Sequence, residues 1–484
     1  MKRGFLKTAK GKQAISITPV LVGTVNKRQA IRPVSTAFVN KGKTIVSLSG
    51  PDNAIGTAAD VKSLKKQTYD DERIVFTTEE VDGARRILEP SPGDCVDYEP
   101  SEVVYTTVPP RTQGETAADN PDGWTECLVT GHIKEEIFKA PGFPKPLTHP
   151  AEESCRIGDS PGKGQGVFAT RALEMGDLIF SERPIVVFPA RELAASVWLD
   201  NLPSAQIAGF IEKEWEGILK HMMKRATSEK ASAFWALENV HPDLDKMKGI
   251  VRTNGFKALG VAGLTKEERD EEDDYSNVYE GVCEKLCRIN HSCQPNCERS
   301  WDKASFSFQI RATRKVEAGE ELFIMYTDNT RPYAERKQQL DLFKFRCTCD
   351  HCSNPERSDA RREAYASAMI PRSAFTEWVT QKLHLPDNHI VNKCLKQIQM
   401  LEEDGLENSP WYKDHLTMIL YSYIVLGDRA KAKEWGQKFG RWKSFRYGPE
   451  EALRYSEDRF YSKENELWQQ RLKAKAKALR SKRT

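Results

Sequence analysis

The sequence predicts an α+β protein, on three observations. Short apolar and β-branched runs separated by Gly and Pro, at residues 167–170, 178–180 and 185–188, read as strands, and Phe306, Phe308 and Ile310 at period two, with residues 322–326 after Gly319, add two more. Between these groups, Trp198, Leu202, Ile207, Phe210, Ile211, Trp215 and Leu219 recur at three- and four-residue spacing, the signature of helices over roughly 192–247. From about residue 357 the helical pattern returns. There Leu416, Ile419, Leu420, Tyr423 and Ile424 form a one-sided apolar stripe, Gly427-Asp428 breaks it, and Ala430, Lys431, Ala432 and Trp435 resume it. This hairpin looks like a single tetratricopeptide unit, but one unit cannot bury its own face and no 34-residue period is visible, so the region reads simply as a helical domain.

At 484 residues the chain exceeds the size at which single cores stop growing, about 250–300 residues. A hydrophobic content of 39% supports a globular middle, while 30% charged residues and 25 prolines point to loosely ordered parts. The net charge of +3 does not announce a nucleic-acid binder. Its distribution is uneven, however. Residues 1–50 carry Lys2, Arg3, Lys7, Lys10, Lys12, Lys27, Arg28, Arg32, Lys41 and Lys43 with no acid, and residues 471–484 carry seven basic residues with none. Both ends fit solvated tails, or contact with chromatin, RNA or a nuclear import receptor.

Taken in order, residues 1–100 lack sustained periodicity and are expected to be mostly disordered. Residues 101–150 are expected to hold a short ordered piece at 124–138, with Thr130 capping a brief helix, followed by a Pro-rich linker around 141–146. The main α+β unit spans 152–330, with a helical insert at about 190–250 and an acidic loop at 265–274 (Glu267, Glu268, Asp270, Glu271, Glu272, Asp273 and Asp274). That loop reads as solvated, or as a lure for basic substrates that salt would screen. A cysteine-bearing segment, 331–356, leads to the helical domain and basic tail of 357–484. No apolar run reaches the ~18 residues of a membrane span, and the N-terminus lacks a secretory signal. The expectation is therefore a nuclear or cytoplasmic protein that is not secreted, with no membrane partner and with reduced thiols. In that setting clustered cysteines favour metal or catalysis over disulfides.

Four pieces carry chemistry. Gly164-x-Gly166, after Lys163, sits just before a strand, where missing Cβ atoms let a ligand approach the backbone. Next come Asn290-His291-Ser292-Cys293-Gln294-Pro295-Asn296-Cys297 and Tyr326 at the end of a strand run. Last, Cys347-x-Cys349-x-x-Cys352 places three thiolates within six residues, one short of a tetrahedral zinc site. A thioredoxin-like Cys349/Cys352 pair would need a strand–helix setting that is not evident, and Cys283 and Cys287 read as core packing.

In this order the four pieces resemble SET-domain protein lysine methyltransferases, particularly the SET-and-MYND-like branch found in fungi and animals. The likeness covers a little over 40% of the chain. It implies a fold of small curved sheets around a threaded pseudoknot, with a zinc-bound post-SET segment and an all-α C-terminal domain. It also implies S-adenosylmethionine as cofactor, contacted by Lys163, Gly164, Gly166, Asn290, His291 and Tyr326, with Phe345 stacking on adenine and Asn254 making either a cofactor contact or a turn. Tyr326 is the implied catalytic residue, orienting a neutral lysine amine, and Cys293 the implied fourth zinc ligand beside Cys347, Cys349 and Cys352, with Cys297 and His351 as rivals. The implied partner is a protein substrate with a target lysine, histone or not, and the implied state is a monomer with chromatin contact through the basic tails. Two departures stand out. Phe343 replaces a tyrosine usual in the branch, which puts the number of methyl groups transferred in question, and the insert between Phe188 and Arg252 has no cysteine, so a MYND finger is not expected. The alternatives are a SET fold with weak catalysis that binds peptides or chromatin, and a scaffold centred on the C-terminal helices.

Overall fold

The computed structural model describes residues 37–40, 43–46, 72–77, 85–90, 103–111, 114–189, 204–258 and 278–481. Its strands are β1 (Ala37–Asn40), β2 (Lys43–Val46), β3 (Glu72–Thr77), β4 (Arg85–Pro90), β5 (Val103–Val108), β6 (Thr125–Thr130), β7 (Cys155–Ser160) and β8 (Gly164–Ala169). They continue with β9 (Leu178–Glu182), β10 (Val186–Pro189), β11 (Phe256–Lys257), β12 (Tyr279–Val282), β13 (Asn290–His291), β14 (Cys297–Asp302), β15 (Ser307–Ala312) and β16 (Glu321–Ile324). Three sheets result: a long one ordered β1-β2-β3-β5-β6-β10-β12-β11 with β4 on β3, a four-stranded one ordered β13-β16-β8-β7, and a three-stranded one ordered β14-β15-β9.

The helices of eight or more residues are α1 (Gly131–Phe138), α2 (Ser204–Arg225), α3 (Ser228–Trp235), α4 (Lys246–Asn254), α5 (Tyr333–Leu340), α6 (Pro355–Ser367), α7 (Arg372–Thr380), α8 (His389–Glu403), α9 (Pro410–Leu426), α10 (Arg429–Tyr447) and α11 (Gln470–Ser481). Their ends follow capping chemistry. Thr130 and Thr227 accept from the third backbone N–H of α1 and α3, and Ser409 does so before Pro410 in α9. Gly427 closes α9 in the left-handed region at φ 71°, and Asp428 caps α10 by accepting from the Lys431 N–H at 3.1 Å.

Three cores match these elements. The β-strands bury Val167, Ile179, Phe180, Leu286, Ile310 and Leu322 among others. Insert helices α2 to α4 pack Trp215, Leu219, Met222, Phe234 and Ile250 onto Tyr105, Leu128, Val186 and Phe188, with the Phe188 and Trp215 rings edge to face at 5.7 Å. The C-terminal helices close around Trp378, Leu416, Ile419, Leu420 and Trp442.

The structure departs from sequence expectation in three places. Residues 101–150 are more ordered than the short piece expected at 124–138: Thr130 does cap a brief helix and 141–146 holds no helix or strand, but a further strand precedes them. β5 pairs with β6, β6 runs parallel to β10, and Val104, Val108, Leu128, Val129 and Ile133 are buried, because the Val/Thr/Tyr run of β5 has strand propensity that short length disguised. Within residues 1–100, β1 to β4 extend this sheet, so the expectation of disorder fails at those positions. The basic tail is also not wholly solvated. Arg471 in α11 is fully buried and donates to Asp387 at 2.7 Å, Lys475 reaches the same carboxylate at 2.6 Å, and Lys473, Lys477 and Arg480 stay exposed. The acidic loop at 265–274 lies outside the described residues.

The helical domain braces the β region rather than hanging from it. Gln294 donates to the Asp404 carbonyl at 2.9 Å, Asn329 to Asn408 at 3.0 Å, Asn408 to the Met325 sulfur at 3.4 Å, and Arg446 pairs with Glu298 at 3.3 Å. Inside that domain His415 is 1% exposed, its Nε2 has no hydrogen-bond partner among the described residues, and burial pushes its pKa down to about 4. The unfolded chain binds a proton at this histidine below about pH 6.5. Stability contributed by the neutral ring is thus present above pH 6.5 and falls as pH drops towards 4. Substituting His415→Leu is expected to flatten part of that acid slope in urea denaturation at several pH values. An unchanged slope would exclude His415 as a contributor.

Candidate active site

Sheet topology brings the distant motifs together. In the four-stranded sheet β16 is flanked by β13 on one side, parallel with Asn290 opposite Phe323 and His291 opposite Ile324, and by β8 on the other, antiparallel with Leu322 opposite Val167. The start of β8 and the Asn-His pair therefore approach one another across β16. A Cβ placed on Gly166 would lie 2.6 Å from Glu321 Oε1 and 3.2 Å from Asn290 Nδ2, so a methyl there would have to push the Glu321 carboxylate aside. Gly164 has a different reason: its φ of +79° favours glycine, and the space beside it is open. Glu321 ties the corner together. It accepts from Asn290 Nδ2 at 2.8 Å and from Lys163 Nζ at 3.0 Å, while Asn290 also donates to the Gln165 carbonyl at 3.0 Å.

At the other end of β16, Tyr326 is half-buried among aromatic rings: Phe343 at 5.0 Å, His291 at 5.4 Å, Phe345 at 6.3 Å and Phe256 at 6.5 Å. Its hydroxyl donates to the Ile289 carbonyl at 2.6 Å. The turn that leads to Ile289 is anchored at its start by Glu182, whose carboxylate accepts three backbone N–H groups, from Glu284, Lys285 and Leu286, at 2.8–2.9 Å. Burial, with a smaller contribution from Cys287, pushes the Tyr326 hydroxyl above its ordinary pKa of about 10. The group is thus a hydrogen-bonding phenol at neutral pH, with oxygen lone pairs free to accept. The Tyr326 backbone N–H donates to His291 Nδ1 at 2.9 Å, which leaves the ring proton on Nε2, 3.4 Å from the Cys293 sulfur.

The sulfur atoms of Cys293, Cys347, Cys349 and Cys352 lie within 4.8 Å of one another, and those of Cys293 and Cys352 are 3.5 Å apart. Tetrahedral zinc with Zn–S near 2.3 Å needs sulfur separations of about 3.8 Å, so the four positions fit that ion. Packed this closely the thiols share protons: hydrogen bonds with Cys293 and Cys347 push Cys349 down, while hydrogen bonds with Cys347, Cys349 and Cys352 push Cys293 up. The two rivals are engaged elsewhere. Cys297 donates to the Phe323 carbonyl at 3.3 Å, and His351 Nδ1 accepts from Arg362 at 3.0 Å.

Of the residues singled out from sequence, Lys163, Gly166 and Asn290 gather around Glu321, next to them His291, Tyr326 and Phe345 cluster as rings, and Phe345 keeps 36% of its surface exposed beside His291. Asn254 differs. Its amide donates to the Ile250 and Glu238 carbonyls at 2.7 and 2.8 Å, closing the end of α4, so its nitrogen serves the turn. Sequence reasoning missed Glu182, Glu321 and the Ile289 carbonyl. An acid on a strand and a backbone oxygen give no pattern by which to find them.

The family profile of the SET domain matches residues 164–327, so the chain carries a SET domain. It is 27% identical over 223 residues to the histone-lysine N-methyltransferase set5 of Schizosaccharomyces pombe, covering 44% of this chain and 56% of that protein. It is 28% identical over 263 residues to the N-lysine methyltransferase SMYD2-A of Danio rerio, covering 48% and 60% respectively. A Gibberella zeae protein named methyltransferase is 22% identical over 442 residues, covering 84% of this chain and 57% of its own. The chain thus spans little more than half the length of these relatives.

The raised Tyr326 pKa has a direct readout. The difference in tyrosinate absorbance between wild type and Tyr326→Phe is expected to show no transition near pH 10, the ordinary value. A transition there would mean the hydroxyl ionises freely and that the burial argument is wrong.

Proposed function

We propose that the chain is an S-adenosylmethionine-dependent protein-lysine N-methyltransferase with one structural zinc in its post-SET segment. The observation that carries this reading is the convergence of the glycine turn, the Asn-His pair, Tyr326 and Phe345 around one corner, with Gly166 and His291 joined through β16. The open space at Gly164 and the exposed face of Phe345 fit the amino-acid and adenine ends of that cofactor. When bound, it would supply an activated methyl group for in-line displacement.

The chain's own residues would then align the acceptor and favour its neutral form, its proton passing to solvent. Phe256, Phe343 and Phe345 make an apolar surround that disfavours an ammonium, lowering a lysine pKa from about 10.4. The Tyr326 oxygen, its hydrogen engaged with the Ile289 carbonyl, accepts an N–H of the neutral amine and aims its lone pair. Phe343 stands 5.0 Å from Tyr326 without a hydroxyl of its own, so the channel has one fewer group to fix the orientation of a methylated amine. Cys293, Cys347, Cys349 and Cys352 would hold zinc, tying the segment that bears Phe345 to the Asn-His strand. The substrate is a protein, histone or non-histone, as the names of the relatives suggest. Chromatin contact through exposed Lys473, Lys477 and Arg480, and a nuclear or cytoplasmic workplace, complete the proposal.

Labelled-methyl transfer to extracts from cells lacking the protein, followed by mapping of the modified residue, tests the reading. Tyr326→Phe is expected to cut transfer roughly 100-fold while S-adenosylmethionine binding, read by calorimetry, persists. Undiminished transfer by the variant would remove Tyr326 from the chemistry, and no transfer by the wild type would favour a binding module. Gly166→Ala is expected to act the other way, weakening cofactor binding because the new methyl displaces Glu321 from Asn290. Equal affinity for wild type and this variant would count against the placement of the cofactor.

A further inference from the structure

One position on β14 breaks the pattern of its strand. The side chains of Cys297 and Trp301 join the strand core, while Glu298, on the opposite face, pairs with Arg446 of α10 at 3.3 Å. By alternation residue 299 belongs with the apolar set, yet it is a half-buried arginine. The Arg299 guanidinium lies 4.9 Å from the centre of the Phe256 ring, and that ring meets the Tyr326 ring edge to face at 6.5 Å. A positive charge thus stands one aromatic ring from Tyr326, against a wall of the apolar surround of the acceptor. A guanidinium keeps that charge throughout the working pH range. Its field reaches the tyrosine: burial pushes the Tyr326 hydroxyl up, and Arg299 draws it partly back.

The other ionisable groups around Tyr326 are neutral, already engaged or of the same sign. His291 on β13 is held neutral, its pKa pushed down to about 4 by burial. Burial keeps Cys283 and Cys287 as thiols, and Cys287 donates to the Asn254 carbonyl at 3.3 Å. Glu182 on β9 brings a carboxylate, which accepts three backbone N–H groups. Glu280 and Lys257 are cross-strand neighbours, one position from the Phe256 pair and so on the other face of β11 and β12. Arg288 donates to Gln165, and Lys344 stands between Phe343 and Phe345 in sequence.

Methyl transfer needs the acceptor amine without its proton, and a free lysine holds that proton up to about pH 10.4. A like charge nearby disfavours the ammonium form. We propose that Arg299 sets the field of the acceptor pocket, disfavouring the ammonium form of the incoming lysine so that its proton leaves to solvent before the methyl group moves. The inference rests on the methyltransferase reading above and deepens it. It also gives a use to a charge at a strand position where packing alone calls for an apolar side chain. At an effective dielectric constant of about 20, a unit charge at roughly 10 Å moves a titration midpoint by about one pH unit.

The test follows single-turnover methyl transfer by the full-length chain from about pH 6.5 to 10.5, with saturating S-adenosylmethionine and acceptor. Purified core histones serve as acceptor, or a synthetic peptide around the lysine mapped in extracts if histones are not methylated. The midpoint of this profile belongs to the bound complex. Arg299→Gln is expected to raise it by about one pH unit, leaving the variant about tenfold slower at neutral pH and level with wild type at the alkaline limit. Arg299→Lys, which keeps the charge, should stay within about half a unit of wild type. Calorimetric affinity for S-adenosylmethionine reports that each variant is folded, and Arg299→Met replaces the glutamine variant should that one not fold. A rate lowered by one factor at every pH would mean that Arg299 only packs on Phe256. That result, an unmoved midpoint, or Arg299→Lys displaced as far as Arg299→Gln overturns the inference and leaves the methyltransferase reading intact. A wild-type chain that methylates neither acceptor overturns both.

Discussion

The site depends on the docking of residues 290–297 against β16, and one side chain secures it. Asn296 is fully buried; its amide donates to the Glu321 carbonyl at 2.8 Å and to Glu320 at 3.1 Å, and its oxygen accepts the Phe323 N–H at 2.7 Å. An edge of β16 that would otherwise be unpaired is thereby satisfied, next to the two-residue parallel pairing of β13. With these bonds in place, Asn290 meets the glycine turn, His291 meets Tyr326 and Cys293 meets the other three cysteines. Without them the three functions would belong to three separate loops.

His291 links two of these functions in a single ring. One nitrogen fixes the backbone at Tyr326 and the other faces the Cys293 sulfur, so disturbance of the cysteine centre reaches the tyrosine through a few bonds. Burial pushes the pKa of this ring down to about 4, which keeps it neutral and keeps Nδ1 an acceptor. The tautomer follows from the partners rather than from any property of histidine itself.

Much of the site was legible because its chemistry demands particular residue types: glycines where the backbone turns or a side chain would crowd Glu321, clustered cysteines for a metal, and an aromatic hydroxyl at a strand end. The helical hairpin around Gly427 was legible for the same kind of reason, an apolar stripe with a turn residue at its end. Residues 101–150 were not, because β5 and β6 are stabilised by tertiary pairing with β10 and by insert helices far along the chain. Glu182 and Glu321 were equally invisible. Charged residues ordinarily face water, and only the fold reveals which of them are enclosed.

The bonds from Gln294 to Asp404 and from Asn408 to Met325 bear on how such a protein can change over generations. The profile match ends at residue 327, yet the underside of the matched part is finished by side chains from 80 or more positions later. Recombination at that apparent seam would pair a core with a foreign floor. The two halves must accordingly drift in concert, and a compensating substitution for a change in the loop between Cys293 and Cys297 is to be sought around residues 404–408, not among its sequence neighbours.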